Sequence, residues 1–323
     1  MSERNPIRVG LIGAGGIGRV HMARYAHVEG AVLSAVCDPD SRVGEAAASA
    51  GAPFFANIRE MIQNVELDAV DICTPTAYHA DPAIQSIAAG LHVLCEKPLA
   101  VDPVSARAIV KAAREKGVLL MNAFCHRFHP PIAALKQAID AGELGKVVMF
   151  RNRFAGRMEG VEDMWFSRKE ISGGGAFLDT SIHSVDLFRF LVGEVVSVHA
   201  VMRRTNPAVA EVEDTAIALL STADHRMGVV ESSWSLEGGY NVVEVYGTDG
   251  AAMVHYWDGL KSRIKTRGSK EWKPLPEGGP DRFAREIQHF VDACGGSVAL
   301  SVTGEDGLRA LEIASDAYRS AGF

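Results

Sequence analysis

A run of glycines and one lysine carry most of the chemistry that can be read directly from this chain. Gly13-Ala14-Gly15-Gly16-Ile17-Gly18 fits the pattern G-x-G-x-x-G, following an apolar run and opening a helical stretch. In that context Gly13 permits a tight turn, Gly15 lets backbone approach a pyrophosphate, and Gly18 lets helix and strand pack closely. The first N–H groups of the helix, around Gly16 and Ile17, would face the phosphates with the positive end of the helix dipole behind them. Asp38 follows 20 residues after Gly18, at the end of the next apolar run. Its carboxylate can accept from both ribose hydroxyls of NAD and would repel the 2′-phosphate of NADP. Arg42, four residues further on, could swing toward such a phosphate, so NADP stays open. Asp38 also begins Asp38-Pro39-Asp40-Ser41, a good helix start, and a capping role is the alternative. Lys97 stands in Val93-Leu94-Cys95-Glu96-Lys97-Pro98, where an apolar strand leaves the same region. Open parallel sheets bind ligands beyond the carboxyl ends of their strands, so this lysine meets whatever the sheet binds. Pro98 pushes it toward extended backbone and away from helix.

The elements that must position these groups alternate along the first 122 residues. Ile7–Ile12, Val32–Cys37, Ala69–Cys73, Leu91–Leu94 and Val118–Met121 are continuous apolar runs, expected as buried strands. Ile17–Val28, Ser41–Ala50, Ile58–Asn64, Pro82–Ala89 and Pro103–Lys116 are expected as helices, with Gly90 and Gly117 at C-cap positions. Strand–helix alternation is the pattern of a doubly wound parallel sheet. Past Asn122 the pattern changes. A helix at Pro131–Ala141 and a strand at Val147–Phe154 lead to a break at Gly173-Gly174-Gly175 and a helix through Leu191. Strands at Val195–Met202, Thr215–Leu220, Met227–Ser235, Val242–Gly247 and Ala251–Tyr256 then come in succession, which implies antiparallel pairing. Helices at Arg282–Cys294 and Gly304–Ala321 close the chain. The fold class is α/β in two domains: residues 1–124 for a dinucleotide and residues 125–323 for a substrate, as expected of a 323-residue chain.

A net charge of −7 argues against a nucleic-acid or anionic-membrane partner. No apolar run reaches the roughly 18 residues of a membrane span, and Met1-Ser2-Glu3-Arg4-Asn5-Pro6 lacks a signal-peptide layout. The five cysteines include no Cys-x-x-Cys pair and are expected reduced and mostly buried. These features point to the cytoplasm.

Three further stretches narrow the reading: Thr74-Pro75-Thr76-Ala77-Tyr78-His79, Cys95-Glu96-Lys97-Pro98-Leu99, and Gly173-Gly174-Gly175-Ala176-Phe177-Leu178-Asp179-Thr180-Ser181-Ile182-His183. Together with Glu213-Asp214-Thr215, Tyr246-Gly247-Thr248-Asp249-Gly250 and Thr303-Gly304-Glu305-Asp306-Gly307, they resemble the Gfo/Idh/MocA oxidoreductases over nearly the whole chain. The resemblance implies a Rossmann domain followed by an α/β domain on a large open antiparallel sheet, in a dimer or tetramer. It implies reversible oxidation of a secondary alcohol on a sugar, inositol or related polyol, with Lys97, Asp179 and His183 as the catalytic set. By the same match Thr74, Pro75, His79 and Glu96 line the nicotinamide end of the cofactor. Where members often read Asn-Arg-Arg-Phe-x-Pro, this chain has Cys125-His126-Arg127-Phe128-His129-Pro130, which places His126 at the substrate pocket.

Removing hydride from a secondary alcohol requires a proton acceptor and donors for the developing alkoxide. His183, ordinarily near pKa 6.5, suits the first task; Lys97, ordinarily near 10.4, suits polarising the oxygen unless strongly shifted. Asp179 and His183 are i and i+4, hence on one helix face, and Asp186 is placed to hold the imidazole in one tautomer. Trp165 could stack on a sugar face or simply pack. No metal is expected, since nicotinamide chemistry on an alcohol can proceed by acid–base catalysis alone and no third ligand is spaced near this pair. NAD-dependent glycoside hydrolysis and a non-catalytic sensor are the alternatives; intact Lys97, Asp179 and His183 disfavour the sensor.

Overall fold

The computed structural model describes residues 5–256 and 259–323. Met1-Ser2-Glu3-Arg4, read above for targeting signals, lies outside the described residues. Packing divides the chain into two compact units. The first comprises Met1–Cys125 with Pro280–Leu308, and the second His126–Gly279 with Arg309–Phe323. The linear division expected from sequence therefore differs from the packing, which returns a C-terminal segment to the first unit.

In the first unit six strands form a parallel sheet: β1 (Ile7–Ile12), β2 (Ala31–Cys37), β3 (Phe54–Phe55), β4 (Ala69–Ile72), β5 (His92–Glu96) and β6 (Leu120–Ala123). Helices α1 (Gly16–Tyr25), α2 (Gly44–Ser49), α3 (Ile58–Asn64), α4 (Ala80–Ala88) and α5 (Pro103–Lys116) connect them. Strand order is β3-β2-β1-β4-β5-β6, so the chain winds outward in both directions from the β1–β4 pair. The loops after those two strands diverge and leave the crevice in which such sheets bind ligands. Val9, Leu11, Ile72, Val93 and Leu94 are fully buried, which is why the strands read as continuous apolar runs. β3 escaped the sequence reading because two residues carry no period. Helix ends follow local chemistry: Asp102 caps α5 by accepting from Val104 and Ser105 N–H, and Gly117 ends it at φ 73°.

The second unit holds α6 (Pro130–Asp140), α7 (Lys169–Ser172), α8 (Ile182–Leu191) and an eight-stranded sheet. Its strands are β7 (Val147–Ala155), β8 (Ser197–Arg203), β9 (Thr215–Ser221), β10 (Met227–Ser233), β11 (Asn241–Gly247), β12 (Ala251–His255), β13 (Arg263–Lys265) and β14 (Lys273–Pro274), ordered β14-β13-β12-β11-β7-β10-β9-β8. Every pair is antiparallel except β7 with β10, which are joined by the long connection through α7, α8, β8 and β9. One sheet face packs on α8, with Phe150 edge-on to Phe188 at 5.6 Å. Gly228 is needed there, since a Cβ would lie 2.6 Å from the Phe188 ring. On the opposite face Arg151 and Arg153 both pair with Glu231, beside exposed Val201, Ile217, Leu219 and Met227.

Helix α9 (Arg282–Cys294) packs on α1 within the first unit and buries Glu286 completely. Neither carboxylate oxygen of Glu286 has a hydrogen-bond partner among the described residues. Burial, and next the neighbouring Glu96, push its pKa well above the ordinary value. The folded chain therefore keeps a proton that the unfolded chain releases above about pH 4.3. That contribution to stability is whole below the unfolded value and is lost as pH rises toward the folded one. Glu286→Gln keeps the shape without the ionisation. Its melting temperature should match wild type near about pH 4 and exceed it increasingly toward about pH 7; a pH-independent difference between the two would contradict this.

Candidate active site

In the first unit the glycine loop behaves as its sequence demands. Gly13 has φ +88°, and a Cβ there would stand 2.7 Å from Thr74 N. A Cβ on Gly18 would stand 2.0 Å from Gly13 O, so strand and helix can approach only with glycine at both places. Around Gly15 and Gly16 a Cβ would meet nothing within 4 Å. The space there is unclaimed by protein, and both residues are exposed, as a site for a pyrophosphate requires. Ile17, half-buried, follows in the first turn of α1. Asp38 leaves β2 with Oδ2 accepting from Ala14 N–H at 2.8 Å and Oδ1 from Asp40 N–H at 2.8 Å. It thus braces the glycine loop and the turn after β2, while the cap of the short helix that begins at Ser41 is Asp40. Arg42 is held on Asp40, with Nε and Nη2 at 2.8 and 2.6 Å from its two oxygens. The arginine pulls the Asp40 carboxyl down to about 2.

Lys97 is half-buried just past β5, and the Lys97–Pro98 peptide is cis. Glu96, the last residue of β5, is buried, and its Oε2 accepts from Lys97 N–H at 3.0 Å. Thr74 and Pro75 are half-buried at the end of β4, where Thr74 Oγ1 donates to Tyr78 O at 3.0 Å. His79 is buried, with Nδ1 2.8 Å from Pro98 O and Nε2 2.8 Å from Thr74 O. His79 ties the loop after β4 to the loop after β5. Burial holds its pKa below the ordinary histidine value.

In the second unit the glycine run is explained by a buried acid. Glu213 is fully buried and accepts from Gly175 N–H (3.1 Å), Phe177 N–H (2.8 Å) and Tyr318 O–H (2.7 Å). A Cβ on Gly175 would lie 1.8 Å from Glu213 O, and one on Gly174 2.3 Å from Tyr318 Oη. The close approach that the glycines permit is therefore to the Glu213 backbone. Burial pushes the Glu213 carboxyl above its usual range. The chain then makes a π-helical turn, Phe177–Ser181, which carries Asp179 half-buried and runs into α8 with His183 nearly buried. The π turn replaces the uniform α-helix expected from the i, i+4 spacing; such turns recur at functional sites. Thr180 Oγ1 donates to Asp179 Oδ2 at 3.3 Å and accepts from Trp234 Nε1 at 3.2 Å. The His183 ring lies 4.4 Å from the His126 ring, and His126 Nδ1 lies 3.0 Å from Tyr256 Oη. His129 stacks on Tyr256 at 4.6 Å. His126 and His183 thus come together, with His129 and also Tyr256, which no local motif signalled, as neighbours. Trp165 sits on a short 3-10 turn with its ring edge-on to Phe166, which in turn packs against Trp234.

One group has a partner that its sequence reading did not foresee. Asp186 pairs bidentately with Arg127, Nε to Oδ2 at 2.8 Å and Nη2 to Oδ1 at 2.5 Å, both side chains buried. It anchors the turn Cys125–Phe128 that presents His126, where a tautomer-holding role toward His183 had been expected. Arg127 was missed as a functional residue, although its place between His126 and Phe128 offered a signal.

Residues 7–124 match the oxidoreductase family with an NAD-binding Rossmann fold, and residues 132–253 match the GFO/IDH/MocA C-terminal domain. The chain belongs to the Gfo/Idh/MocA oxidoreductase family. It is 32% identical to an inositol 2-dehydrogenase of Rhizobium meliloti (strain 1021), covering 97% of this chain and 96% of that one. A levoglucosan dehydrogenase of Pseudarthrobacter phenanthrenivorans is 30% identical over 77% of this chain and 74% of that one. Among solved structures, a levoglucosan dehydrogenase in complex with NADH superposes with a TM-score of 0.91 at 26% identity, over 98% and 97% of the two chains. As a family member the chain is an NAD-dependent oxidoreductase acting on CH–OH groups.

The buried Arg127–Asp186 pair gives this family member a sharp test. Arg127→Leu takes the buried arginine from Asp186, which should cost about 3–5 kcal/mol. Chemical denaturation measures it, and a loss under about 1 kcal/mol would mean that the pair does not anchor the His126 turn.

Proposed function

We propose that this Gfo/Idh/MocA oxidoreductase takes hydride from a secondary hydroxyl of a sugar, inositol or related polyol and passes it to NAD. The observation that carries the cofactor half is the glycine loop, braced by Asp38 and empty of protein around Gly15. Relatives that act on inositol and levoglucosan support a ring hydroxyl as the reacting group. Arg42, held on Asp40, together with Asp38, favours NAD over NADP.

In this reading residues 1–124 hold the dinucleotide and residues 125–323 supply substrate contacts. Gly13, Gly15, Gly16, Ile17, Gly18 and Asp38 bind the adenosine and pyrophosphate, and Thr74, Pro75, His79 and Glu96 shape the loops at the nicotinamide end. NAD supplies the hydride acceptor. Lys97, charged, polarises the reacting oxygen, and His183 takes the hydroxyl proton as C–H breaks. Asp179, one turn before His183, orients the reacting alcohol. His126, against His183, selects among hydroxyls, and Trp165 offers an aromatic face to the sugar. No helix among the described residues is long and apolar enough to cross a membrane, in keeping with work in the cytoplasm. The exposed sheet face with Val201, Ile217, Leu219 and Met227 is the surface on which a second copy packs to form a dimer or tetramer.

Lys97→Met should lower turnover about 10²-fold or more, the scale of one acid–base group, in an NADH absorbance assay against inositols and pyranoses; undiminished turnover would remove Lys97 from the chemistry. His183→Ala should flatten the rise in rate between about pH 6 and 8, and an unchanged profile would return the base role to Lys97. Light scattering on wild type should give a multiple of the chain mass. Ile217→Lys with Leu219→Lys should halve it or more, and a monomeric wild type would sink the assignment of this face.

A further inference from the structure

His21 on α1 is fully buried, and its two ring nitrogens each face an acid. Nδ1 is hydrogen-bonded to Asp71 Oδ2 at 2.9 Å, and Nε2 makes an ion-pair contact with Glu96 Oε1 at 3.2 Å. The second contact is not aligned as a hydrogen bond, so its strength rests on charge. A neutral imidazole has one N–H and would turn a lone pair toward one of the two carboxylates. Asp71 also accepts from Tyr25 O–H at 3.0 Å and from the Cys73 thiol at 3.5 Å. From α9 the cluster faces Arg282, Glu286 and the Phe283 ring, which lies 5.9 Å from His21. Burial works against charge on His21, but the anionic surroundings outweigh it and hold the ring protonated. Asp71 dominates those surroundings, because burial keeps Cys73 a neutral thiol. Glu286, whose carboxyl burial pushes well above its ordinary value, lies beside the same cluster.

The other oxygen of Glu96 accepts the backbone N–H of Lys97. We infer that His21 is a positioning residue for Lys97: it fixes the Glu96 carboxylate, which fixes the backbone from which the Lys97 side chain departs. This rests on the reading of Lys97 as the group that polarises the alcohol. The neighbouring peptides are pinned by neutral contacts. Asn122 Nδ2 donates to Cys95 O and Glu96 O at 2.8 and 3.2 Å, and His79 Nδ1 stands 2.8 Å from Pro98 O. Lys97 N–H is the one held by a charged group that itself needs a charged partner. Without His21, Glu96 is a buried anion lacking its cation; it takes up a proton or turns away, and the N–H of Lys97 loses its acceptor.

The test uses His21→Leu and His21→Gln in the full-length, NAD-saturated enzyme. Amine labelling of Lys97, followed by mass spectrometry, reads its environment without reference to turnover. Labelling of Lys97 should change roughly tenfold in His21→Leu, the scale of one hydrogen bond to a charged group. kcat should fall by a similar factor while the KM for NAD stays within about threefold. His21→Gln, with a neutral donor of similar size, should fall between the two and carries the test alone if His21→Leu does not fold. Lys97 labelling equal to wild type in the folded variants overturns the inference, as does a fall in kcat matched by an equal rise in KM for NAD. Altered labelling with full turnover would uphold the positioning and instead remove Lys97 from catalysis, a result that Lys97→Met checks independently.

Discussion

A carboxylate holds the backbone at each of the three segments to which the proposed chemistry is assigned. Asp38 accepts from Ala14 in the glycine loop, Glu96 from Lys97 at the end of β5, and Glu213 from Gly175 and Phe177 at the entry to the π turn. A backbone N–H withdrawn from water must find an acceptor, and a charged acceptor makes the stronger bond. The anion then needs compensation of its own. Glu213 obtains it from Tyr318 O–H and two peptide N–H groups, Glu96 from His21, and Asp38 from a second N–H at Asp40. The loops are therefore held by hydrogen bonds to carboxylates, while the strands and helices beneath them are held mainly by apolar burial.

Much of this was legible in the sequence, and the reasons differ by element. The parallel strands announced themselves as unbroken apolar runs because both of their faces are covered, and α3, α5 and α9 were bounded to the residue by Asn57, Asp102, Asp281, Pro103 and Gly117. The glycine motif was readable because each glycine has a separate steric duty. Three features were not readable. β3 is too short to have a period. The parallel pairing of β7 with β10 depends on a connection that spans two other strands. The bond of Asp186 to Arg127 joins residues 59 positions apart, and only folding brings them together. Distance along the chain, more than residue type, set the limit: Tyr256 meets His126 across 130 residues, and neither carries a local mark of the other.

The second sheet shows how one set of strands serves two purposes. Alternation along β7 sends Phe150, Asn152 and Phe154 inward and Arg151 and Arg153 outward. The inward Asn152 donates to Val242 O and accepts from Ser184 in α8, next to His183. Outward, Glu231 gathers both arginines, so the middle of that face is charged but locally neutralised, and its apolar residues lie on β8, β9 and β10.

The π turn at Phe177–Ser181 sets the bearing of His183 by chain length as well as by residue identity. A π turn is an α turn that has gained one residue, and each residue of α-helix advances the bearing by about 100°. Loss of a single residue between Asp179 and His183 would rotate one of them away from the other by about that angle, with both of these side chains still present. Evolution along this segment is consequently constrained in two separate ways. Side-chain identity matters at particular positions, while the residue count between Asp179 and His183 matters along the whole interval, since an insertion or deletion there changes the angular relation of the two groups.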